Sequence, residues 1–140
     1  MEELIEILRK GNYSCVVKNG SDIRMFTQRG VADLYSLLKH SADFLKGAMV
    51  ADKVIGKAAA ALIILGRVKK LYAEVISVPA IILLRNAGVE VDFQRLVPYI
   101  RNRSNDDWCP LETICCKDKT AEDVLPKVEN FLISMGKRMA

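Results

Sequence analysis

Residues 52–83, with the sequence DKVIGKAAAALIILGRVKKLYAEVISVPAIIL, contain the pattern that decides the fold. Residues 53–65 carry apolar side chains at helical spacing, and a run of four alanines favours a helix that packs closely against a sheet. Asp52 is of a type that caps helix N-termini, and Gly66 follows the last apolar residue. This part of the stretch therefore predicts a helix that begins after Asp52.

The second half of the stretch predicts a strand and then another helix. Residues 70–76 alternate between two faces in the manner of a β-strand. Ser77 has the hydroxyl of an N-cap, and Pro79 suits the first turn of a helix, where its missing N–H leaves no hydrogen bond unmade. Gly88 is the expected C-terminal stop.

The flanking residues extend this helix–strand–helix unit in both directions. A short amphipathic helix over residues 2–10 precedes a β-hairpin whose turn is Asn19-Gly20, and residues 31–45 are helical with a break near His40-Ser41. Beyond Gly88, the pattern indicates short strands at 89–91 and 111–116, a strand or helical turn at 96–100, and a closing helix to Met135.

This element order predicts one domain over residues 1–140, an α/β fold with three α/β/α layers and a mixed sheet. Hydrophobic residues make up 51% of the chain, enough for a real core. The longest apolar run, residues 58–65, is too short for a bilayer, and the N-terminus is acidic where a signal peptide is basic. We therefore expect a cytoplasmic protein that does not enter a membrane.

The net charge of +4 is mild, which does not favour a dedicated nucleic-acid binder. The basic segment Arg67-Val68-Lys69-Lys70 is interpreted as a solvated turn.

Cysteine and histidine usage bears on redox state and on metal binding. The four cysteines, Cys15, Cys109, Cys115 and Cys116, are expected to be reduced thiols, because a domain of this size does not need disulfides. The only histidine is His40, and no Cys-x-x-Cys motif occurs. We therefore predict neither a metal site nor a cofactor.

Two segments of the chain resemble zinc-dependent cytidine deaminases. Those enzymes begin one helix with His-x-Glu and the next with Pro-Cys-x-x-Cys, which supply the zinc ligands and the proton-shuttling glutamate. Here the first motif is replaced by Gly56-Lys57-Ala58-Ala59. Pro79 is kept in the second, but Ala80 and Leu83 take the cysteine positions.

The chain also resembles a small uncharacterised family that shares the cytidine-deaminase-like fold without the zinc-binding motifs. The signatures lie at residues 52–60, 100–103 and 109–112. The resemblance implies the fold and the position of a pocket, a domain without the zinc site, and a family that commonly oligomerises.

A set of residues is predicted to line that pocket and to bind a small anionic or nucleotide-like ligand. Lys57 lies one turn into an apolar helix and is interpreted either as an anion clamp or as a solvated lysine. The guanidinium groups of Arg101 and Arg103 and the amide of Asn102 can donate hydrogen bonds to a phosphate or to a ring with several carbonyl groups. The predicted ligand-binding residues are Gly56, Lys57, Ser77, Arg101, Asn102, Arg103, Cys109 and Glu112.

Two further functions stay open at this point. The first is a cysteine-dependent enzyme with Cys109 as nucleophile and Lys57 or Glu112 as catalytic candidates, against the alternative that Cys109 packs as a small apolar side chain. The second is an RNA-binding or assembly module, in which RNA is the less favoured partner and a homo-oligomer, aided by Met25 and Phe26, the other.

Overall fold

A five-stranded mixed sheet lies at the centre of the computed structural model, which describes residues 1–28, 31–100 and 110–139. Twelve helices and strands are described, and their bounds in chain order are α1 (Glu2–Lys10), β1 (Cys15–Asn19), β2 (Asp22–Phe26), α2 (Ala32–His40), α3 (Ala42–Leu45), β3 (Met49–Ile55), α4 (Lys57–Leu65), β4 (Lys70–Ser77), α5 (Val78–Asn86), β5 (Glu90–Val97), α6 (Pro110–Cys115) and α7 (Ala121–Met139).

The strands follow the order β2-β1-β3-β4-β5. Strand β1 is antiparallel to both β2 and β3, whereas β3, β4 and β5 run parallel to one another. The predicted hairpin is confirmed: Asn19 pairs with Asp22, and Gly20 adopts a positive φ of 62° that a tight turn requires. The predicted mixed sheet is therefore confirmed as well.

Helices cover both faces of the sheet. The larger core lies between one face and helices α2, α4, α5 and α7. The smaller core lies on the other face, where Leu4 and Leu8 of α1 pack against Val16, Ala51 and Tyr72. Helix α4 is the innermost helix, with residues 57–63 buried, which its alanines permit because they bring the helix close to its neighbours. The three-layer α/β/α prediction is confirmed.

The prediction that Asp52 caps a helix is wrong. Asp52 lies inside β3, and α4 begins five residues later at Lys57. Asp52 resembles an N-cap, and Val54 and Ile55 continue the apolar spacing of α4, which made the end of β3 look like the first turn of the helix. Helices α2 and α3 do separate at Ser41, as the break near His40-Ser41 predicted.

The C-terminal third contains the other correction. Residues 111–116 were expected to form a strand with Cys115 and Cys116 near its end, but residues 110–115 form helix α6. Thr120 Oγ1 accepts a hydrogen bond from the N–H of Asp123 at 3.2 Å, as its capping pattern predicted. No helix in the described ranges is long and apolar enough to cross a membrane.

Candidate functional site

Two helices begin side by side at the carboxyl edge of the parallel strands. Strand β3 ends at Ile55 and strand β4 at Ser77, and Ile55 is the register partner of Ile76. Gly56 is the N-cap of α4, and Ser77 is the N-cap of α5, where its Oγ accepts from the N–H of Ala80 at 3.3 Å. The structure thus brings two predicted site residues, Gly56 and Ser77, to one edge.

The carboxylate of Glu112 accepts a hydrogen bond at the start of α4. Its Oε1 accepts a hydrogen bond from the backbone N–H of Lys57 at 2.7 Å, and its Oε2 accepts from the N–H of Ile100 at 2.8 Å. Only 3% of the residue is exposed. A carboxylate at this position is favourable because the first N–H groups of a helix have no partner within it and the helix dipole is positive there.

Gly56 leaves the room that this carboxylate needs. A β-carbon added at Gly56 would lie 3.1 Å from Glu112 Oε1 and 3.1 Å from Ile100 Cγ1. The φ of Gly56 is −96°, which any residue can adopt. Glycine is therefore needed here because a side chain would not fit, and not because of its backbone conformation.

Lys57 is buried and already engaged. Its Nζ donates hydrogen bonds to the backbone carbonyls of Cys116, at 3.3 Å, and of Asp118. These carbonyls belong to the turn between α6 and α7, so the ammonium holds that turn against α4. The predicted direct contact between Lys57 and a ligand remains a prediction, and it would compete with these bonds.

Lys57 and Glu112 therefore act as a reciprocal pair of links between the same two helices. The carboxylate of α6 binds the backbone of α4, and the ammonium of α4 binds the backbone at the end of α6. Sequence reasoning singled out both residues as pocket groups but missed that each has backbone partners.

Next to this link lies a second, partly buried group of polar atoms. Asp118 Oδ1 contacts the Nζ of Lys127 at 2.9 Å, while Asp118 Oδ2 is buried without a hydrogen-bond partner among the described residues. Burial, followed by the nearby negative charge of Asp118, raises the pKa of Cys115 to about 11. Cys115 is therefore a protonated thiol at neutral pH and a poor nucleophile.

Asp52 is a buried acid that sequence reasoning assigned to the wrong role. It is 8% exposed on the central strand β3, opposite Cys15 of β1, and its Oδ1 accepts from the N–H of Val54 at 3.1 Å. Burial raises the pKa of Asp52 to about 7, against the lowering effect of this bond. The available sequence signal was an acid set within an apolar run.

Apolar side chains are exposed around the same carboxyl edge. Val54 near the end of β3, Val78 at the start of α5 and Leu96 near the end of β5 are 48%, 37% and 44% exposed. Small-molecule sites combine apolar surface of this kind with a few polar groups.

The positions that hold zinc in the deaminases do not fit a metal here. Gly56, Ala58, Ala80 and Leu83 offer no side-chain donor atom, and Ala80 and Leu83 are packed into the main core. Elsewhere in the described ranges, no group of three His, Cys, Asp or Glu side chains is placed to hold an ion. The predicted site residues Arg101, Asn102, Arg103 and Cys109 lie outside the described residues.

Comparison with known proteins identifies one family. Residues 3–132 match the family described as TM1506, a domain of unknown function (DUF1893). The solved structure of a DUF1893 family protein from Thermotoga maritima is similar, with a TM-score of 0.86 and 25% sequence identity. The similarity covers 92% of this chain and 87% of that one. No curated protein matches the chain in sequence.

Two larger solved structures match this chain at lower similarity. RibD from Acinetobacter baumannii has a TM-score of 0.44 and 19% identity, over 66% of this chain and 33% of that one. A Thermotoga maritima diaminohydroxyphosphoribosylaminopyrimidine deaminase/5-amino-6-(5-phosphoribosylamino)uracil reductase has a TM-score of 0.44 and 16% identity, over 82% and 39%. The similarity therefore spans about a third of the first protein and 39% of the second.

Proposed function

This chain belongs to the DUF1893 family of unknown function, and we propose from its own residues that it binds a small nucleotide-like anion at the carboxyl edge of β3 and β4, without zinc chemistry. Parallel strands that are each followed by a helix place helix N-termini, which attract anions, at the carboxyl edge of the sheet. The proposal assigns the same place to this ligand, between the starts of α4 and α5.

The observation that carries this proposal is the Glu112 carboxylate bound to the N–H of Lys57 at 2.7 Å. It supports anion affinity at this edge, because an acidic oxygen already occupies the start of α4. With that helix end neutralised, the free anion is proposed to bind the neighbouring start of α5 at the N–H of Val78, because Pro79 has no N–H and the N–H of Ala80 donates to Ser77 Oγ.

The nucleotide-like character of the ligand is supported by the apolar side chains of this edge. Val54, Val78 and Leu96 expose enough surface to pack against a ring. The N–H of Ile100 donates to Glu112, and Pro110 begins the helix that carries Glu112. Arg101 and Arg103 are the proposed partners of a phosphate, and Asn102 and Cys109 are proposed neighbours.

Lys57 and Glu112 have a positioning role in this proposal. Their links fix α6 against α4 and so set the distance across which a ligand must fit. The proposal does not require either side chain to touch the ligand.

The proposal is tested by adding nucleotides to the protein and monitoring its backbone amide chemical shifts by NMR. A panel of common ribonucleoside monophosphates and diphosphates is added to isotopically labelled protein. We expect saturable shifts at residues 54–58 and 76–80 for at least one member. The proposal is overturned if no member shifts these amides at millimolar concentration, or if the shifts cluster elsewhere.

A matched pair of variants separates anion binding from helix stability. Val78→Asp places a negative charge at the first position of α5, where an acid suits the helix dipole, and should weaken binding about tenfold or more. Ile82→Asp adds the same charge one turn later, at a residue that is 53% exposed, and should leave binding nearly unchanged. Equal affinity in the two variants would contradict the proposal.

We further propose that the protein is cytoplasmic and self-associates. Met25, 45% exposed on the edge strand β2, supports an interface there, because an exposed strand edge pairs readily with another chain. Sedimentation analysis should give a species larger than one chain, and Met25→Glu should reduce it to a monomer. A monomeric wild type would remove this part of the proposal.

A further inference from the structure

A cavity of about 370 Å³ lies at the opposite end of the parallel strands from the carboxyl edge. Its lining includes Lys18, Lys69 and Lys70, together with Glu90. We infer that this cavity, here called the amino-edge pocket, binds a small phosphorylated compound. This inference does not depend on the function proposed for the carboxyl edge.

The floor of the amino-edge pocket is a single row of residues across four strands. Lys18 pairs with Met49, Met49 with Lys70, and Lys70 with Glu90. Directly paired residues project from the same face of a sheet, and neighbouring strands lie about 4.8 Å apart. Lys18 and Lys70 therefore lie on either side of Met49, about 10 Å from each other, and their long side chains are able to converge on one group.

The lysines of this row are more deeply buried than the carboxylates that pair with them. The side chain of Lys18 is 26% exposed and that of Lys70 is 28% exposed. Their carboxylate partners, Glu3 at 3.0 Å and Asp92 at 3.8 Å, are 56% and 67% exposed. Exposed ion pairs contribute little, so an incoming phosphate can replace these carboxylates at small cost.

Lys69 adds a charge that the protein does not neutralise. Within the described part of the chain, no carboxylate lies at ion-pairing distance from its ammonium, and the residue is exposed. Its backbone N–H is fixed by the carbonyl of Ala48 at 2.9 Å, so the base of the side chain has a defined position. The exposed Lys69 therefore lies beside the partly buried Lys18 and Lys70. Such a group of lysines suits a phosphate, which lysine binds as a point charge.

Two turns, joined to each other by hydrogen bonds, form the wall of the pocket. Gly20 and Gly47 both have positive φ, at 62° and 77°, and nothing lies within 4 Å of a β-carbon placed on either. Asn19 Nδ2 donates to the carbonyls of Phe44 and Lys46, at 2.8 and 3.0 Å, and so joins the hairpin to the segment before β3. The absence of side chains on both glycines leaves the entrance open.

The lining also indicates the class of compound. Three lysines and Glu90 line the pocket, and Glu3 and Asp92 pair with two of these lysines, so an anion must carry more than one negative charge to replace both carboxylates. Glu90 can accept a hydrogen bond from a hydroxyl or amino group on the same molecule. A cavity of this volume suits a small molecule, near the lower end of the range for such sites.

Calorimetric titration with inorganic pyrophosphate tests the inference, at an ionic strength of about 0.15 M where exposed charges are screened. Wild-type protein should bind it saturably. The variant Lys69→Ala/Lys70→Ala should lose about tenfold or more in affinity, because charged hydrogen bonds are removed. Lys10→Ala removes an exposed lysine on α1 that lies outside this pocket, and should bind like wild type.

Glu90→Gln provides a variant whose effect a folding defect does not imitate. It removes the one lining acid, so pyrophosphate should bind several-fold more tightly than to wild type. The inference is overturned if wild type shows no binding, if the double lysine variant binds as wild type does, or if Glu90→Gln weakens binding. Binding of a short single-stranded RNA without binding of pyrophosphate would also overturn it.

Discussion

Replacing Glu112 by glutamine perturbs the start of α4 with little change in volume. In the native protein one carboxylate oxygen accepts from Lys57 N–H at 2.7 Å and the other from Ile100 N–H at 2.8 Å. A glutamine retains one carbonyl acceptor, but its NH₂ group then faces the other N–H donor. One hydrogen bond is lost and the other no longer involves a charged acceptor.

The size of the effect follows from these two bonds and the burial of the residue. A hydrogen bond to a charged group contributes about 1.5–3 kcal/mol, and a neutral one about 1 kcal/mol. The neutral amide offsets part of the loss because burying it costs less than burying a carboxylate. We expect Glu112→Gln to lower the free energy of unfolding by about 2 kcal/mol, and Glu112→Ala by about 4 kcal/mol because both N–H groups lose their partner.

Urea unfolding followed by circular dichroism measures this difference. Glu6→Gln is the control, because Glu6 is 62% exposed and pairs only with Lys10 on its own helix, so its loss should stay within about 0.5 kcal/mol. A Glu112→Gln variant within about 0.5 kcal/mol of wild type would refute the role of this carboxylate.

Three further predictions concern the same edge and the central strand. Lys57→Met should cost about 2 kcal/mol in urea unfolding, because the carbonyls of Cys116 and Asp118 lose a charged donor. Gly56→Ala should cost about 1–2 kcal/mol, and less in a Glu112→Ala background, because its β-carbon would crowd the Glu112 carboxylate. The third is pH dependence. Because Asp52 has a native pKa of about 7 against 3.8 in a model peptide, the native state holds a proton that the unfolded state releases. Stability should therefore fall as pH rises from about 4 to about 7 and then level off, by up to about 4 kcal/mol, and Asp52→Asn should remove this fall.

For each of these three predictions, one result would contradict the reasoning. Lys57→Met with unchanged stability would mean that the ammonium is dispensable to the α6–α7 turn. Equal effects of Gly56→Ala in both backgrounds would separate Gly56 from Glu112. For Asp52→Asn, unfolding measured at about pH 4.5 and pH 8 should show the variant gaining on wild type at the higher pH, and a parallel decline in both proteins would contradict the account.

The sequence was sufficient for the helix–strand–helix unit because its signals are local. The Ser77 cap, the proline after it and the alanine-rich period each act within a few residues, and the structure confirms all three. Strand β3 was missed because Asp52 resembled an N-cap and because Val54 and Ile55 continue the apolar spacing of the helix that follows.

Helix α6 was missed for a different reason. Residues 111–116 contain Thr113 and Ile114, whose branched side chains favour strands over helices. The link from Glu112 to α4 and to Ile100 is a tertiary contact, which local propensity does not encode.

The candidate site was predicted in its residues but not in its connections. Lys57 stood out because it lies near the start of an apolar, alanine-rich helix, and Glu112 stood out because it follows Cys109 and Pro110 in one of the signature segments. A long side chain buries its stem and is able to place its charged end in several directions, so sequence alone did not indicate that Lys57 extends to the end of α6. The amino-edge pocket was missed because Lys18, Lys70 and Glu90 come together only through strand register.

Native mass spectrometry during titration with the ribonucleotide panel tests the central claim most directly, because it reports metal content and ligand stoichiometry together. The account predicts a chain without zinc that takes up one nucleotide-sized anion. That adduct should be lost in Val78→Asp and retained in Ile82→Asp. One zinc ion per chain, or an adduct of equal abundance in the two variants, would contradict it.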